Sequence, residues 1–169
     1  MPPRSPSHLK LEPSDKQQTF LQRISALLRA VSPGWQSCPP PADPVVIQQL
    51  IASTDIMLPA EYLALLAFSD GAGGMLKVDP GWFQMWLARE VIEMNKGYGV
   101  SEFIPGFFGF GSNGSGELLA FDVRTPPPYS IYMIPFIPME EEEALFVADD
   151  FASFLEMTGD LRSQPGRAS

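Results

Sequence analysis

FIPGFFGFGSNGSGELLAF, residues 103–121, consists of two apolar runs on either side of a turn rich in glycine, serine and asparagine. Apolar runs separated by such a turn are typical of paired β-strands. A phosphate-binding loop would need a Gly-Lys-Ser/Thr step, in which the lysine neutralises the phosphates. Residues 111–116 contain no lysine. We therefore predict that Gly111, Gly114 and Gly116 are structural, and that Gly114 or Gly116 has the positive φ of a tight turn.

Helix signals precede and follow this hairpin. Ser14 and Gln17 form a capping box for a first helix, Asp43 with Pro44 begins a second, and a third begins near Pro59. Further predicted elements are strands at 74–78, 82–87, 103–110, 117–123 and 129–137, a helix at 89–98, and a final helix capped by Asp149 or Asp150. The pattern predicts an α+β single domain, with a mainly antiparallel sheet, N-terminal helices and a C-terminal helix packed on it.

The strand faces indicate a sheet covered on both sides. In 117–123, Leu119 and Phe121 share one face, while Leu118 and Asp122 share the other. The strand at 129–137 is apolar on both faces, which is typical of a central strand. We expect helices on one face, a loop or helix partly covering the other, and Phe121 directed inward.

Length and composition favour one cytoplasmic domain. We assign residues 1–13 to a disordered Pro- and Ser-rich tail, 14–160 to the domain and 161–169 to a flexible tail. No apolar run approaches the roughly 20 residues of a membrane helix, and the N-terminus lacks an apolar signal-peptide core. A single cysteine, Cys38, agrees with a reducing compartment.

The negative charge is concentrated in one part of the chain. The net charge is −9, and residues 97–160 contain Arg124 as the only basic residue against eleven acidic ones, which gives that part −10. The acidic residues are Glu102, Glu117, Asp122, Glu140, Glu141, Glu142, Glu143, Asp149, Asp150, Glu156 and Asp160. This part would repel nucleic acid and favour a basic protein partner, although an acidic face can also serve solubility alone.

The residue types exclude most catalytic and metal sites. His8 and Cys38 are the only histidine and cysteine, too few for a His/Cys metal site or a dependable nucleophile–histidine pair. Glu117 and Asp122 lie an odd number of residues apart on one predicted strand, hence on opposite faces, and so make a poor acid–base pair. A calcium loop would need more carboxylates than this turn offers. We predict neither an enzyme nor a cofactor.

Two sets of residues are candidates for partner binding. The acidic run Glu140, Glu141, Glu142 and Glu143, with Asp149, could dock a basic surface, or it could be a solvated loop before the last helix. Trp82 and Trp86 share one face of a predicted strand. They could belong to the core, to an exposed binding surface, or to a pocket for a small molecule.

Four segments in order resemble the SUKH superfamily, the Smi/Knr-like proteins. They are Leu58–Leu63 followed by Ser69-Asp70-Gly71, then 90–95, then 105–122 with its glycine-rich turn, and finally Phe151-Ala152-Ser153-Phe154-Leu155. Together they cover 58–157. No motif of this pattern identifies a residue that contacts a partner.

The resemblance implies a non-catalytic protein-binding module. Many bacterial members of that superfamily are implied to be immunity proteins, which bind and neutralise a cognate toxin, often a nuclease or another nucleic-acid-modifying enzyme. Eukaryotic members act instead as regulatory scaffolds, and the sequence leaves this alternative open. It also leaves open a small-molecule-binding protein or cryptic hydrolase with a tryptophan-lined pocket. The oligomeric state and the identity of the toxin are not predicted.

Overall fold

A six-stranded antiparallel sheet forms the centre of the protein, with its strands in sequence order. A computed structural model describes residues 14–159, so both predicted tails and His8 lie outside the described residues. The strands are β1 Gly73–Met75, β2 Trp82–Met85, β3 Phe107–Ser112, β4 Glu117–Asp122, β5 Ile131–Pro135 and β6 Leu145–Ala148. The helices are α1 Asp15–Val31, α2 Pro44–Ala52, α3 Ala60–Phe68, α4 Val91–Tyr98, α5 Val100–Phe103 and α6 Phe151–Glu156. The predicted α+β single domain is confirmed.

The helices begin where their capping residues predicted. Ser14 accepts a hydrogen bond from the Gln17 backbone, and the Gln17 side chain accepts one from the Ser14 backbone, which completes the capping box. Asp43 caps α2 with Pro44 in its first turn, and of the two candidates for α6 it is Asp150 that accepts from the Ser153 N–H at 2.7 Å.

Helices α3 and α6 lie on one face of the sheet, and α1 packs against both of them. Phe121 on β4 is fully buried there, with ring centroids 5.5 Å from Tyr62 and 5.8 Å from Phe151. Phe110 of β3 lies 4.5 Å from Phe121 and completes the cluster. The predicted inward direction of Phe121 is confirmed.

Helix α4 and the chain after β5 cover the opposite face. Trp86 stacks on Tyr98 with ring centroids 6.0 Å apart, and Tyr98 stacks on Phe136 at 4.3 Å. Leu118 is fully buried on this side of β4. The sheet is therefore covered on both faces, as the two-sided apolar pattern predicted.

The predicted strand at 103–110 was wrong at both ends. Gly99 has φ +69°, which ends α4, and Phe103 then donates its N–H to Gly99 O at 2.9 Å within α5. Strand β3 begins only at Phe107 and continues to Ser112. The left-handed Gly99 is thus followed by one more helical turn, and the start of the apolar run belongs to that turn and not to a strand.

Strand β6 was not predicted. The glutamates at 140–143 were expected to lie in a loop, with no strand between them and the last helix. In the structure Glu141–Glu143 forms a single turn of 3-10 helix, and Leu145–Ala148 pairs with β5. Four residues between an acidic run and a helix cap give too short a pattern to distinguish a strand from a loop.

A bulge in β3 is held by an asparagine from α4. The pairing of β3 with β4 shifts between Gly109 and Gly111. Asn95 fills the gap in the ladder: its side-chain amide donates to Gly109 O at 2.9 Å, and its side-chain oxygen accepts from Gly109 N at 2.8 Å. The same amide nitrogen donates to Val91 O at 2.8 Å.

Replacing this asparagine should loosen the bulge. We expect Asn95→Ala to lower the free energy of unfolding by about 1–2 kcal/mol, because the N–H and C=O of Gly109 lose their partners. Lys96→Ala, on the exposed side of the same helix, should change it by less than about 0.5 kcal/mol. Denaturant titration measures both; equal midpoints for the two variants would show that the amide clamp contributes nothing.

Candidate functional site

The open edge of the sheet is β6. It pairs with β5 on one side, and among the described residues no other backbone hydrogen bond joins Leu145–Ala148 to the chain. The opposite edge is covered, since Ser37 and Gly73 exchange two backbone hydrogen bonds of 2.9 and 3.0 Å beside β1. We call β6, with 140–143 before it and Asp149 after it, the acidic edge.

The register shows which backbone groups of β6 point outward. Asp122 N donates to Ser130 O and Phe136 N donates to Gly116 O, each at 2.9 Å, so the even-numbered residues of β5 hydrogen-bond to β4. The odd-numbered ones, including Met133, then direct their backbone groups to β6.

Two pairs across β5 and β6 have different consequences. Met133 lies opposite Leu145, so Leu145 bonds to β5. Tyr132 lies opposite Phe146, and this is a non-hydrogen-bonded pair. The N–H and C=O of Phe146 therefore point away from the sheet.

The side chains at this edge are apolar and accessible. Leu145 is 57% exposed and Phe146 is 56% exposed. The ring of Phe146 rests edge-on against Tyr132, with centroids 5.9 Å apart. Two large apolar side chains thus flank backbone groups that no residue of 14–159 pairs with, which is the arrangement that an added strand recognises.

The glutamate run directly precedes this edge, and all four of its side chains are exposed. Glu141 forms an ion pair with Arg124. Within the described residues, Glu140, Glu142 and Glu143 form no side-chain hydrogen bond or ion pair. Asp149 is also exposed and lies just after β6. The carboxylates of Glu140, Glu142, Glu143 and Asp149, which no cation pairs with in the described part of the chain, give the edge a negative field.

Arg124 is already committed to structural partners. Its Nε lies 2.9 Å from Asp122 Oδ1, and its guanidinium carbon lies 4.9 Å from the centre of the Phe107 ring. The hydrogen bond from Arg124 holds the pKa of Asp122 below its usual value. Arg124 therefore secures the start of the glutamate run through Glu141 and leaves the rest of the run free.

The two tryptophans lie away from the acidic edge. Trp86 is 5% exposed, so it offers little surface to a ligand. Trp82 is half-buried on β2, where its indole lies beside the Gly114 turn. Four strand steps separate β2 from β6, which is roughly 19 Å across the sheet. The structure does not bring the tryptophans and the glutamates into one site.

Backbone N–H groups of the glycine-rich turn are hydrogen-bonded to side chains of the same turn. Asn113 Oδ1 accepts from the N–H groups of Ser115 and Glu117, both at 3.0 Å, and Ser112 Oγ accepts from Gly114 N at 3.1 Å. These amides are therefore occupied rather than directed at an anion.

Three glycines of the turn region play different parts. Gly114 has φ +74°, which confirms the predicted left-handed residue. Gly116 lacks a positive φ and has open space around it, while Gly111 lies against Gln84 O of the neighbouring strand.

The carboxylates considered for catalysis or metal binding are dispersed. Glu117 and Asp122 occupy opposite ends of β4. Among residues 14–159, no group of three or more His, Cys, Asp or Glu side chains is placed to hold a metal ion. Burial raises the pKa of Tyr62, whose hydroxyl has no hydrogen-bond partner within the described part of the chain.

A largely apolar cleft of about 380 Å³ lies between the start of α3, the loop before β5 and the start of α6. Its lining includes Met57, Tyr129 and Phe151, and Glu61 and Asp150 are the acidic groups around it. The volume is near the lower end of the range for small-molecule sites. Nothing in its lining resembles the tryptophan pocket considered from the sequence.

Sequence reasoning found the acid groups of the edge and missed its apolar part. Leu145 and Phe146 follow the glutamates directly, within the run ALFVA at 144–148. A search for alternating apolar and polar residues would pass over so short a run. Its aromatic and β-branched residues were the usable signal for a strand.

None of the described helices combines the length and apolar composition needed to cross a lipid bilayer.

The profile of the SMI1 / KNR4 family (SUKH-1) matches residues 41–157, from just before α2 to the end of α6. The resemblance found in the segments of 58–157 is thereby confirmed. No curated protein matches the chain.

Proposed function

The chain belongs to the SMI1 / KNR4 family (SUKH-1), and we propose that it is a non-catalytic protein-binding module of the immunity type. The family includes immunity-type proteins. In this proposal the protein binds a cognate toxin and blocks its action. The toxin is a nuclease or another nucleic-acid-modifying enzyme with a basic active surface.

The acidic edge is the observation that supports this function best. Glu140, Glu142, Glu143 and Asp149 are exposed without a cationic partner among the described residues, and they lie on both sides of the exposed Leu145–Phe146 pair. An apolar centre with a charged rim is the usual anatomy of a protein interface. The sign of the charge selects a basic partner.

Neutralisation would follow from competition for one surface. An enzyme that acts on nucleic acid presents lysine and arginine side chains to the phosphates. Carboxylates of the acidic edge would occupy those side chains and repel the substrate. A regulatory scaffold of the Smi/Knr type would use the same edge on a basic partner that is not a toxin.

A cytoplasmic location fits the exposed, unpaired Cys38, because reducing compartments keep thiols free.

Removing charge from the edge should slow association. We expect the triple variant Glu140→Gln, Glu142→Gln and Glu143→Gln to bind its partner several-fold more slowly at low salt, because rim charges steer encounter. Glu141 is left unchanged so that its ion pair with Arg124 persists. The difference should shrink as salt shortens the screening length to about 10 Å at 0.1 M and below that at higher salt.

The measurement uses a partner captured from the host and identified by mass spectrometry. Stopped-flow or surface-plasmon association rates are compared across a salt series. The matched control is Asp55→Asn, Glu93→Gln and Glu102→Gln, three exposed residues outside the acidic edge with the same total change in charge. If both triples slow association equally, overall charge and not this edge attracts the partner.

A further inference from the structure

We propose that β6 accepts an additional strand from its partner, an extended segment with an apolar centre and basic residues at both ends. This inference rests on the proposed function and specifies how the acidic edge binds. The partner strand would pair with the outward N–H and C=O of Phe146, and so extend the six-stranded sheet by one strand.

The backbone supplies the first argument. Phe146 faces away from β5, and no described residue takes its N–H or C=O. The opposite edge of the sheet is covered by the Ser37–Gly73 pair, and a bridge between Leu76 and Thr158 extends that cover. Among the described strands, β6 is therefore the place where a strand can be added.

The local geometry defines the length of the added pairing. Phe146 lies opposite Tyr132, and Ala148 lies opposite Ile131. Val147 is therefore an extra residue in β6, and the register shifts between Ile131 and Tyr132. A bulge of this kind bends the edge and ends regular pairing. The added strand would therefore pair over Leu145 and Phe146, and would rely on side chains for the rest of its affinity.

The charges determine the composition of the added strand. Glu142 and Glu143 lie before the pairing region, and Asp149 lies after it. A lysine or arginine at each end of the incoming strand would meet these carboxylates. Small or β-branched apolar residues in its centre would pack on the exposed side chains of Leu145 and Phe146.

The same charges disfavour a second copy of this chain. If β6 paired with β6 of another molecule, in either direction, acidic residues of one copy would lie beside acidic residues of the other. Like charges directly opposite in a sheet are destabilising. The glutamates thus protect an open edge from self-association while they leave it available to a basic strand.

Two variants at one position separate side-chain from backbone contacts. Phe146→Ala removes the ring, and Phe146→Pro removes the ring and also the outward N–H. Because that N–H makes no bond to β5, both variants should fold with similar melting temperatures. Leu145→Pro, in contrast, removes a donor from the β5 ladder and should lower the melting temperature clearly. A Phe146→Pro protein that unfolds where Phe146→Ala does not would overturn the assigned orientation.

The binding probe is the peptide acetyl-Lys-Lys-Val-Thr-Val-Lys-Lys-amide, followed by NMR on isotope-labelled protein. We expect amide shifts centred on Leu145 and Phe146, slower exchange of the Phe146 N–H, and weaker binding at high salt. Phe146→Pro should bind the peptide about fivefold more weakly than Phe146→Ala, the effect of one hydrogen bond. The matched peptide with glutamates in place of the lysines should cause no shifts at β6.

Other outcomes reject the proposal. Shifts that centre on the cleft beside Tyr129, an absence of shifts at millimolar peptide, or equal affinity of the two Phe146 variants would each overturn it. Concentration-dependent protection of Phe146 without peptide would identify a second copy as the occupant instead. Failure here is distinguishable from failure of the proposed function. A natural partner that still binds through the glutamates, with Phe146 N–H exchanging freely in the complex, would contradict strand addition alone.

Discussion

Phe121→Ala should lower the free energy of unfolding by about 3–5 kcal/mol, the usual range for a buried phenylalanine. The side chain is fully buried on a central strand. It contacts rings from three other elements, with centroids 4.5 Å away at Phe110, 5.5 Å at Tyr62 and 5.8 Å at Phe151. Alanine would leave a cavity among these rings that the two flanking layers cannot close.

An exposed phenylalanine provides the control for this substitution. Phe103 at the end of α5 is 62% exposed, and Phe103→Ala should cost less than about 1 kcal/mol. Urea titration of both variants measures the difference. Equal slopes of the unfolding free energy against urea concentration would check that both variants unfold in two states. Similar midpoints for the two variants would mean that the aromatic cluster does not hold the helices to the sheet.

Gly111→Ala should cost about 3 kcal/mol, the upper end of the usual overpacking range. A Cβ at Gly111 would lie 2.5 Å from Gln84 O and 3.3 Å from Met85 Cα. Both are backbone atoms of the neighbouring strand, so no side-chain rotation can relieve the clash. The pairing of β2 with β3 would have to open.

Gly116→Ala is the matched control, since it lies in the same glycine-rich stretch. A Cβ there meets nothing within 4 Å, and Gly116 has no positive φ. The melting temperature should therefore change little. Thermal unfolding of both variants tests the assignment; a loss at Gly116 as large as the loss at Gly111 would show that turn flexibility, and not the β2–β3 approach, requires these glycines.

The parts of the fold that sequence predicted are those with strong local signals. The capping box at Ser14 and the Asp43-Pro44 start fixed two helices to within a residue, because cap chemistry is local. The hairpin around Gly114 and the inward direction of Phe121 followed from turn composition and alternation.

The errors came from features that depend on tertiary context. Residues 103–106 are apolar and strand-like, but Gly99 in a left-handed conformation and the α4–α5 turn decided otherwise. Strand β6 exists because β5 offers it a partner, and this pairing has a short and bulged register that no local pattern reveals.

The sequence predicted the charged residues of the candidate site but not its open backbone groups. The charge of Glu140, Glu142 and Glu143 was readable, because unpaired like charges show in composition. The open backbone of Phe146 was not readable, because it depends on which residues of β5 face β6. Trp82 and Trp86 remain predicted contacts, and their distance from β6 means that one partner would need to reach across the sheet to meet both groups.

Inhibition of the captured partner is the most direct test of the central claim, that this protein neutralises a basic toxin through its acidic edge. The partner is purified and its activity on nucleic acid is titrated with this protein. We expect that the partner's activity falls in proportion to the added protein and vanishes at about one equivalent. The triple glutamine variant should inhibit less at low salt, and the matched control triple should inhibit like the parent. Full partner activity at a several-fold excess of this protein would contradict the claim.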